Sequence, residues 1–171
     1  MENSKYTALS KNSNPNKELI QFIKENVSKD KTIIDWGAGH GRHSKALRDL
    51  GYKVWSYDPY NGEDTFDGYK KTSIRLPEKN HDVIFSAYVL NVLNEQQFSV
   101  ECLLMTNKIS KDGLIIHKVR EDKSLLEKIK KEKKEIVSGR KNSIQRFVSK
   151  EEFYSIGYER NNKSKLYYCN F

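Results

Sequence analysis

A glycine-rich turn between a predicted strand and a predicted helix constrains this chain more than any other feature. Residues 32–36 (Thr-Ile-Ile-Asp-Trp) are apolar and β-branched, which is typical of a short buried strand. Residues 42–50 have a helical pattern that ends at Gly51. Between them, glycine occupies every second position of the segment 37–41 (Gly-Ala-Gly-His-Gly). Such a turn allows unusual backbone dihedrals and lets a ligand lie against main-chain amides at a helix N-terminus.

A second predicted strand ends in an acidic residue. Residues 52–57 (Tyr-Lys-Val-Trp-Ser-Tyr) form the strand, and Asp58 follows at its carboxyl end. A carboxylate about 20 residues beyond the first glycine of such a turn is placed to accept hydrogen bonds from ribose hydroxyls. The turn and Asp58 together predict a site for a cofactor that contains adenosine.

The spacing of the glycines indicates which cofactor is expected. A nicotinamide or flavin site requires a third small residue in Gly-x-Gly-x-x-Gly/Ala, whereas Arg42 stands at that position here. The observed pattern is Asp-x-Gly-x-Gly-x-Gly, beginning at Asp35. In this pattern and in Asp58 the chain resembles the class I S-adenosylmethionine-dependent methyltransferases. The resemblance implies a single α/β, Rossmann-like class I methyltransferase domain, with S-adenosyl-L-methionine as the cofactor.

The same resemblance assigns the cofactor-binding residues. Asp35 is expected near the ammonium of the methionine part, directly or through water, and Asp58 at the ribose. His40 is expected to contribute mainly through its backbone. The full predicted set is Asp35, Gly37, Ala38, Gly39, His40, Gly41, Asp58 and Pro59.

The rest of the chain alternates between helical and extended patterns, which predicts a mostly parallel sheet with helices on both faces. A helix over 17–26 is expected to start with Asn14 as N-cap and Pro15 at the first helical position. We expect one domain over residues 17–171, preceded by a polar N-terminal segment, 1–16. The further predicted elements are a weak strand at 72–76, a strand at 81–88, a helix at 95–110 closing at 112–113, a strand at 114–119, a basic helix within 123–141, and short elements at 144–148, 149–156 and 166–171.

Three residues at or after the end of the strand 81–88 are candidates for the catalytic pocket. They are Ser86, Tyr88 and Asn91, because chemistry in such sheets takes place at the carboxyl ends of strands. Enzymes that methylate exocyclic amines of adenine or cytosine usually have Asp/Asn/Ser-Pro-Pro-Tyr/Phe here, and the absence of this motif disfavours that reaction. A 5-methylcytosine mechanism is also disfavoured, since Cys102 lies in the following helix. Structural roles for Tyr88, as a half-buried aromatic, and for Asn91, as a cap, stay open.

A second resemblance rests on three short segments. These are 6–11 (Tyr-Thr-Ala-Leu-Ser-Lys), 87–93 (Ala-Tyr-Val-Leu-Asn-Val-Leu) and 143–147 (Ser-Ile-Gln-Arg-Phe). Together with Asp58-Pro59, they are similar to methyltransferases associated with DNA modification systems, including those linked to phosphorothioated DNA. That group tends to have Arg where this chain has Lys11, which would replace a bidentate anion contact by a point charge. The resemblance implies a nucleic-acid-linked role.

Positive charge is concentrated in the last third of the chain. The whole sequence has 31 Lys and Arg against 23 Asp and Glu. Residues 1–107 contain 14 of each sign, whereas residues 108–171 contain 17 basic and 9 acidic residues. The densest part, 123–141, would attract a polyanion such as nucleic acid by releasing counterions. An ordinary surface helix with internal salt bridges explains the same composition, and both interpretations stay open.

Composition also suggests the compartment. We find no 18-residue apolar run and no apolar N-terminal segment in this sequence, so we expect a cytoplasmic protein without a membrane span. Cys102 and Cys169 are far apart, which argues against a disulfide framework. The cysteines and the histidines, His40, His43 and His117 among them, lack the spacing of zinc ligands, so no metal site is predicted. The sequence does not indicate an oligomeric state.

Two further alternatives concern the N-terminal segment and the activity. Tyr6, Thr7 and Ser10 would form part of a lid if residues 1–16 fold over the cofactor turn, whereas a disordered polar terminus is the competing interpretation. The protein is expected to methylate nucleic acid or to act in a DNA-modification pathway. A small-molecule methyltransferase and a non-catalytic cofactor-binding partner protein are the alternatives.

Overall fold

Six strands form one sheet. The computed structural model describes residues 12–120, 127 and 148–171, and the backbone of 136–138 and 144–146. The strands of this sheet are β1 (Thr32–Trp36), β2 (Lys53–Tyr57), β3 (His81–Ala87), β4 (Ile109–Lys118), β7 (Glu159–Asn161) and β8 (Leu166–Asn170). Their order in the sheet is β2-β1-β3-β4-β8-β7. The strands β1 to β4 pair in parallel, whereas β8 and β7 pair antiparallel. The predicted mostly parallel sheet is confirmed.

Helices cover both faces of the sheet, as predicted. On one face lie α1 (Lys17–Asn26) and α2 (Arg42–Asp49), and on the other α3 (Glu95–Thr106) and α4 (Lys150–Ser155). The parallel strands are buried on both sides, because each face packs against apolar helix residues. The first core contains Leu19, Phe22, Ile23, Leu47, Ile33, Val54, Val83 and Phe85, and the second contains Phe98, Cys102, Met105, Phe153, Ile34, Ile84 and Ile115. No helix among the described residues has the length and apolar character needed to cross a bilayer.

The first helix spans the predicted residues, Lys17–Asn26, but its N-cap differs from the prediction. Its N-cap is Asn16, whose side chain accepts a hydrogen bond from the backbone N–H of Leu19, and its first helical residue is Lys17. The prediction of Asn14 as N-cap with Pro15 inside the helix is therefore wrong. Asn16 is the N-cap because its backbone is extended and its side-chain oxygen accepts from one of the free N–H groups of the first turn.

The boundary between α3 and β4 also differs from the prediction. The helix ends at Thr106, and β4 already begins at Ile109, so the helical prediction for 107–110 is wrong. Asp112 and Gly113 lie inside β4 and not at a helix end. The pairing register explains this. His81 pairs with Ile109 and Val83 pairs with Leu114, so β4 has three more residues than β3 between these two pairs. The extra residues bulge out of the ladder, and Asp112 has φ 60° there.

The weak strand predicted at 72–76 does not form. Only Ser73 pairs, through isolated bridges with Tyr57 and Glu63. The outer edge of β2 is instead covered by a loop, in which the backbones of Gly68 and Ser73 bond to Ser56. A polar segment followed by Pro77 therefore shields the sheet edge without extending the sheet.

Two of the short C-terminal elements are confirmed. Ser149 caps α4 with a reciprocal bond to Glu152, within the helix predicted at 149–156, and the short element predicted at 166–171 is the strand β8. The strand β7 was not predicted. A separate pair, β5 (Ile136–Ser138) and β6 (Ile144–Arg146), is antiparallel, so the prediction of helix at 136–138 is wrong. The rest of the predicted basic helix lies outside the described residues, except for Glu127, which is helical.

One lysine connects the two ends of the domain. Lys118, the last residue of β4, is 7% exposed. Its ammonium donates to the carbonyl oxygen of Ser164 at 3.1 Å and to that of Lys165 at 3.4 Å, in the turn between β7 and β8. It also lies 3.5 Å from the carboxylate of Glu18 in the first turn of α1. A buried ammonium needs such partners, because desolvation of an unpaired charge is costly.

Candidate functional site

The turn between β1 and α2 is bonded to the end of β2. Its glycines all have left-handed backbones, with φ of 71° at Gly37, 57° at Gly39 and 76° at Gly41. The N–H groups of Gly37 and Ala38 donate to the carbonyl oxygen of Tyr57 at 2.8 and 2.9 Å. Because β1 and β2 are parallel neighbours, their carboxyl ends meet, and the turn closes over the end of both strands.

Asp58 is in direct contact with the glycine turn. Its Oδ2 accepts from the N–H of Gly39 at 2.8 Å, and its Oδ1 accepts from the N–H groups of Tyr60 and Asn61 at 2.9 and 2.8 Å. The carboxylate is 6% exposed. Among the described residues, Oδ2 accepts from Gly39 alone, and a carboxylate oxygen has two lone pairs. One acceptor position at the turn is therefore left for a donor such as a ribose hydroxyl. Pro59, the next residue, is exposed.

Asp35 lies beneath the turn and is 1% exposed. Its Oδ2 accepts from the N–H and the hydroxyl of Ser44 at 3.1 and 2.6 Å. Ser44 belongs to a longer chain of hydrogen bonds, in which Arg48 donates to the hydroxyl of Ser56 and Ser56 donates to the hydroxyl of Ser44. This chain of hydrogen bonds ties α2 to β1 and β2, and so holds the turn in place. A contact of Asp35 with the ammonium of a cofactor stays a prediction.

Burial dominates the protonation of Asp35. It raises the pKa of this carboxyl from 3.8 to about 7, although the two hydrogen bonds from Ser44 and the charge of Arg48 act in the opposite direction. The folded protein therefore keeps a proton on Asp35 at a pH where the unfolded chain has lost it.

The segment after β3 lies against the glycine turn. Tyr88 has φ 66, which is unusual for a residue with a bulky side chain. Its N–H donates to the carbonyl oxygen of Lys118 at 2.7 Å, and its phenol oxygen accepts from the side-chain amide of Asn16 at 2.9 Å. The next residue, Val89, packs on Gly37 so closely that a Cβ on this glycine would lie 2.4 Å from its Cγ2. Tyr88 is thus fixed beside the turn.

Asn91 and Ser86 are both buried but make different contacts. Asn91 lies in a short 3-10 helix, Leu90–Val92, and its Oδ1 accepts from the N–H of Arg120 at 2.9 Å. Ser86 bonds to Nδ1 of His117 at 2.8 Å within the sheet. The ring of His117 lies against Phe153 of α4 in a tilted arrangement, so the Ser86–His117 pair packs on the second core. The structure therefore brings Tyr88 against the turn, whereas Ser86 pairs with Trp36 in the sheet and its hydroxyl bonds to His117.

The other histidines and the cysteines differ in exposure. His40, in the turn, is exposed, whereas His43 and His117 are buried. Burial lowers the pKa of His43 and of His117 to about 3, so these two side chains are neutral at physiological pH. Cys102 is buried on α3, and burial raises the pKa of its thiol to about 12. A buried neutral thiol is a poor nucleophile, in agreement with the sequence argument against a cysteine mechanism.

Two contacts at the site have no signal in the sequence. Asn16 reaches Tyr88 across 72 positions of the chain, and Arg42 donates to the backbone carbonyl oxygen of Asn14 at 2.9 Å. In addition, the indole N–H of Trp36 donates to Glu101 on α3 at 2.8 Å. Such long-range pairs follow from packing and not from local patterns. The residues just before α1 thereby form one wall of the site.

A comparison with known protein families gives one decisive result. A family model described as a methyltransferase domain matches residues 9–161. The chain belongs to the methyltransferase-domain family. The matched residues include the glycine turn, Asp58 and Tyr88, so the predicted S-adenosylmethionine-dependent class is confirmed at the level of family and fold. A search of curated proteins finds no match. The resemblance to DNA-modification enzymes is tested by none of these comparisons.

Solved structures of other methyltransferases share the fold. The 1,6-didemethyltoxoflavin-N1-methyltransferase of Burkholderia thailandensis, with bound 1,6-didemethyltoxoflavin and S-adenosylhomocysteine, aligns with a TM-score of 0.63 at 13% identity, over 89% of this chain and 74% of that chain. The glycopeptide N-methyltransferase MtfA aligns with a TM-score of 0.60 at 10% identity, over 92% and 95%. A complex of DhpI with SAM and HEP aligns with a TM-score of 0.56 at 13% identity, over 89% of this chain and 83% of that chain.

The alignments with two further structures cover about half of the matched chain. This chain spans 52% of the CcbJ methyltransferase from Streptomyces caelestis and 54% of the MtfA chain in its complex with S-adenosylhomocysteine. The identities of 10% and 13% to the MtfA, DhpI and 1,6-didemethyltoxoflavin-N1-methyltransferase structures named above show a common fold, which does not identify an acceptor.

The contact between Gly37 and Val89 predicts a large effect of one added methyl group. Gly37→Ala should lower the free energy of unfolding by about 2 to 5 kcal/mol, because it combines a left-handed alanine with a clash against a stiff β-branched side chain. Urea unfolding measures this.

Gly157→Ala is the matched control, since Gly157 has φ +83 and nothing within 4 Å of the added Cβ. It should cost about 1 to 2 kcal/mol, the left-handed penalty alone. Adding Val89→Ala should restore part of the loss in Gly37→Ala. Equal effects of the two glycine substitutions would show that Val89 does not press on the turn.

The raised pKa of Asp35 predicts that the contribution of this carboxyl to stability falls as the pH rises. Between about pH 4 and pH 7 the folded state retains a proton on Asp35 that the unfolded state releases, which lowers the free energy of unfolding by on the order of 4 kcal/mol over this range. The lowered pKa values of His43 and His117 act in the opposite direction below about pH 6.5, so the test is the difference between the native protein and Asp35→Asn. Asp35→Asn should gain stability relative to the native protein as the pH rises from about 4 to 8, measured by urea unfolding at a series of pH values, and identical slopes for both proteins would contradict this.

Proposed function

We propose that this methyltransferase transfers a methyl group from S-adenosyl-L-methionine to a nucleophile bound at the carboxyl ends of β1 and β3. The observation that carries the proposal is the 2.8 Å hydrogen bond between the N–H of Gly39 and Asp58. This bond places the glycine turn and Asp58 side by side, which supports the proposal that both contact the same cofactor molecule. When bound, S-adenosylmethionine supplies an electrophilic methyl group on a sulfonium.

The residues present fit this cofactor. The three left-handed glycines leave the turn without side chains at these positions, and the buried carboxylate of Asp58 has an acceptor position beside it. In the proposed arrangement, the turn holds the methionine part and Asp58 holds the ribose. Orientation of the reactants contributes most of the rate, and in-line positioning is worth about 7 to 11 kcal/mol in favourable cases.

The segment after β3 is proposed to shape the acceptor pocket. Tyr88 and Asn91 follow the strand whose neighbour, β1, leads into the glycine turn. The left-handed backbone of Tyr88 costs about 1 to 3 kcal/mol in general, and such strain is concentrated at functional sites. Asn91 fixes the segment through Arg120. Their proposed role is to position the acceptor.

For the acceptor, we propose a nucleic acid or a component of a DNA-modification pathway. The support is the excess of positive charge in residues 108–171, with 17 basic and 9 acidic residues, and the short segments shared with DNA-modification methyltransferases. Neutralised phosphates release counterions, so binding of this kind depends strongly on salt. The missing Pro-Pro motif after Ala87 argues against exocyclic amines of bases as the target.

A small-molecule acceptor is the second candidate. It is favoured by the substrates of two structural neighbours, 1,6-didemethyltoxoflavin for one and a glycopeptide for the other. In that case the basic residues would be ordinary surface. A third outcome, cofactor binding without turnover, would correspond to a non-catalytic partner protein.

The proposal predicts a measurable affinity for S-adenosylhomocysteine that depends on Asp58. Calorimetry should detect binding by the native protein, and Asp58→Ala should weaken it at least about 10-fold, because hydrogen bonds to a charged group are lost. Asp49→Ala is the matched control, since Asp49 is an exposed residue at the end of α2. Thermal unfolding of each variant verifies the fold. Absence of binding by folded native protein would refute the proposed function.

The choice of acceptor predicts where a labelled methyl group appears. Incubation with cofactor labelled in the methyl group, together with DNA, RNA and a metabolite extract in separate reactions, should label nucleic acid with the native protein and not with Asp58→Ala. Filter binding to the labelled nucleic acid should weaken steeply with salt. Label in the metabolite fraction alone would replace the nucleic-acid proposal by the small-molecule one.

A further inference from the structure

The side-chain amide of Asn16 has a fixed orientation. Its Oδ1 accepts from the N–H of Leu19 at 2.8 Å, so the other terminal atom must be the NH₂ group. The two N–H bonds of this group go to Glu18 at 3.0 Å and to the phenol oxygen of Tyr88 at 2.9 Å. Asn16 is therefore the donor and Tyr88 the acceptor in this contact, because an amide NH₂ cannot accept.

This polarity directs the proton of Tyr88 away from Asn16. The O–H bond of a phenol lies close to the plane of its ring, so a phenol that accepts on one side of its C–O bond donates on the other side. Burial raises the pKa of Tyr88, so the proton is retained at neutral pH. Among the described residues, the hydroxyl of Tyr88 donates to no protein group. The side chain is half-buried at the carboxyl end of the sheet, next to the turn on which Val89 packs. One oriented donor is thus available to a ligand at this position.

The charges around Tyr88 favour an anionic ligand group. Arg42, in the first turn of α2, and Arg120, after β4, both act on the phenol as positive charges. Glu18 acts as the negative charge, and Lys118 lies 3.5 Å from it. Among the described residues that act on the phenol, two cations face one carboxylate, so a carboxylate of the ligand would be stabilised here.

We propose that Tyr88 donates a hydrogen bond to the carboxylate of the methionine part of the cofactor, and that Asn16 is the positioning residue that holds the phenol for this contact. The proposal rests on the proposed function. Adenosine would be held by Asp58 on one side of the glycine turn, and the amino-acid end would extend from the turn to Tyr88. The first helix thereby takes part in cofactor selection through its N-cap.

Two ligands that differ in the amino-acid end test this proposal. S-adenosylhomocysteine has the carboxylate, whereas 5′-methylthioadenosine lacks it. By calorimetry, Tyr88→Phe should weaken the binding of S-adenosylhomocysteine about 10- to 100-fold and change that of 5′-methylthioadenosine less than about 2-fold. An unchanged affinity for S-adenosylhomocysteine, or an equal loss for both ligands, would overturn the assignment to the carboxylate.

Asn16→Asp isolates the positioning role. Aspartate is as good an N-cap as asparagine, so α1 should stay folded, but a carboxylate accepts from Tyr88 and withdraws its proton from the ligand. We expect a similar selective loss for S-adenosylhomocysteine, and little further loss when Asn16→Asp is added to Tyr88→Phe. A full additional loss in the double variant would show direct repulsion and overturn the role of Asn16.

A second N-cap supplies the control. Asn94 caps α3 with the same kind of bond, from the N–H of Gln97 at 2.8 Å, so Asn94→Asp should leave both affinities unchanged. Binding of neither ligand by the native protein would refute the proposed function, and this inference with it. Binding of both ligands by every variant with native affinity would refute this inference alone.

Discussion

The hydrogen bond between the backbone of Gly39 and the carboxylate of Asp58 is the contact on which the site depends. It exists only because β1 and β2 are parallel neighbours whose carboxyl ends coincide, and because the turn can adopt a left-handed backbone at every second residue, Gly37, Gly39 and Gly41. The buried hydrogen-bond chain from Arg48 to Asp35 supports this geometry from below. The rigidity of the turn is thus a property of the sheet and of α2 together, which suits a site that must orient a ligand.

Local patterns were sufficient for the central elements of the fold. The strands β1, β2 and β3 and the helix α2 lie within about one residue of their predicted positions, because their apolar runs and the glycines at their ends are unambiguous signals. The same reasoning placed Asp58 at the end of β2, but it did not predict the hydrogen bond from the N–H of Gly39 to this carboxylate. The prediction was weaker where two signals compete, as at Asp112-Gly113, where turn residues occur inside a strand and not at the end of a helix.

What the sequence could not reveal depends on contacts between distant segments. Nothing near Ser86 indicates that it bonds to His117, and nothing near Asn16 indicates Tyr88. Both pairs are created by the order of the strands and by the docking of α1. The role of Asp35 was equally hidden, since a carboxylate at the end of a strand is compatible with an exposed ligand contact and with a buried bond to Ser44. Burial, which decides between them, is a tertiary property.

The partners of Lys118 have a consequence for how the domain tolerates change. This single ammonium joins the turn of the last hairpin to the first helix, so chain segments at opposite ends of the sequence share one buried charge. Shortening the hairpin would remove the carbonyl oxygens of Ser164 and Lys165 and leave Glu18 next to a poorly solvated ammonium. Removing the first helix would remove Glu18 and leave the two hairpin carbonyl oxygens next to that ammonium. The stability of the first helix and the stability of the last hairpin therefore depend on the same ammonium, and trimming or grafting at one of them alters the other.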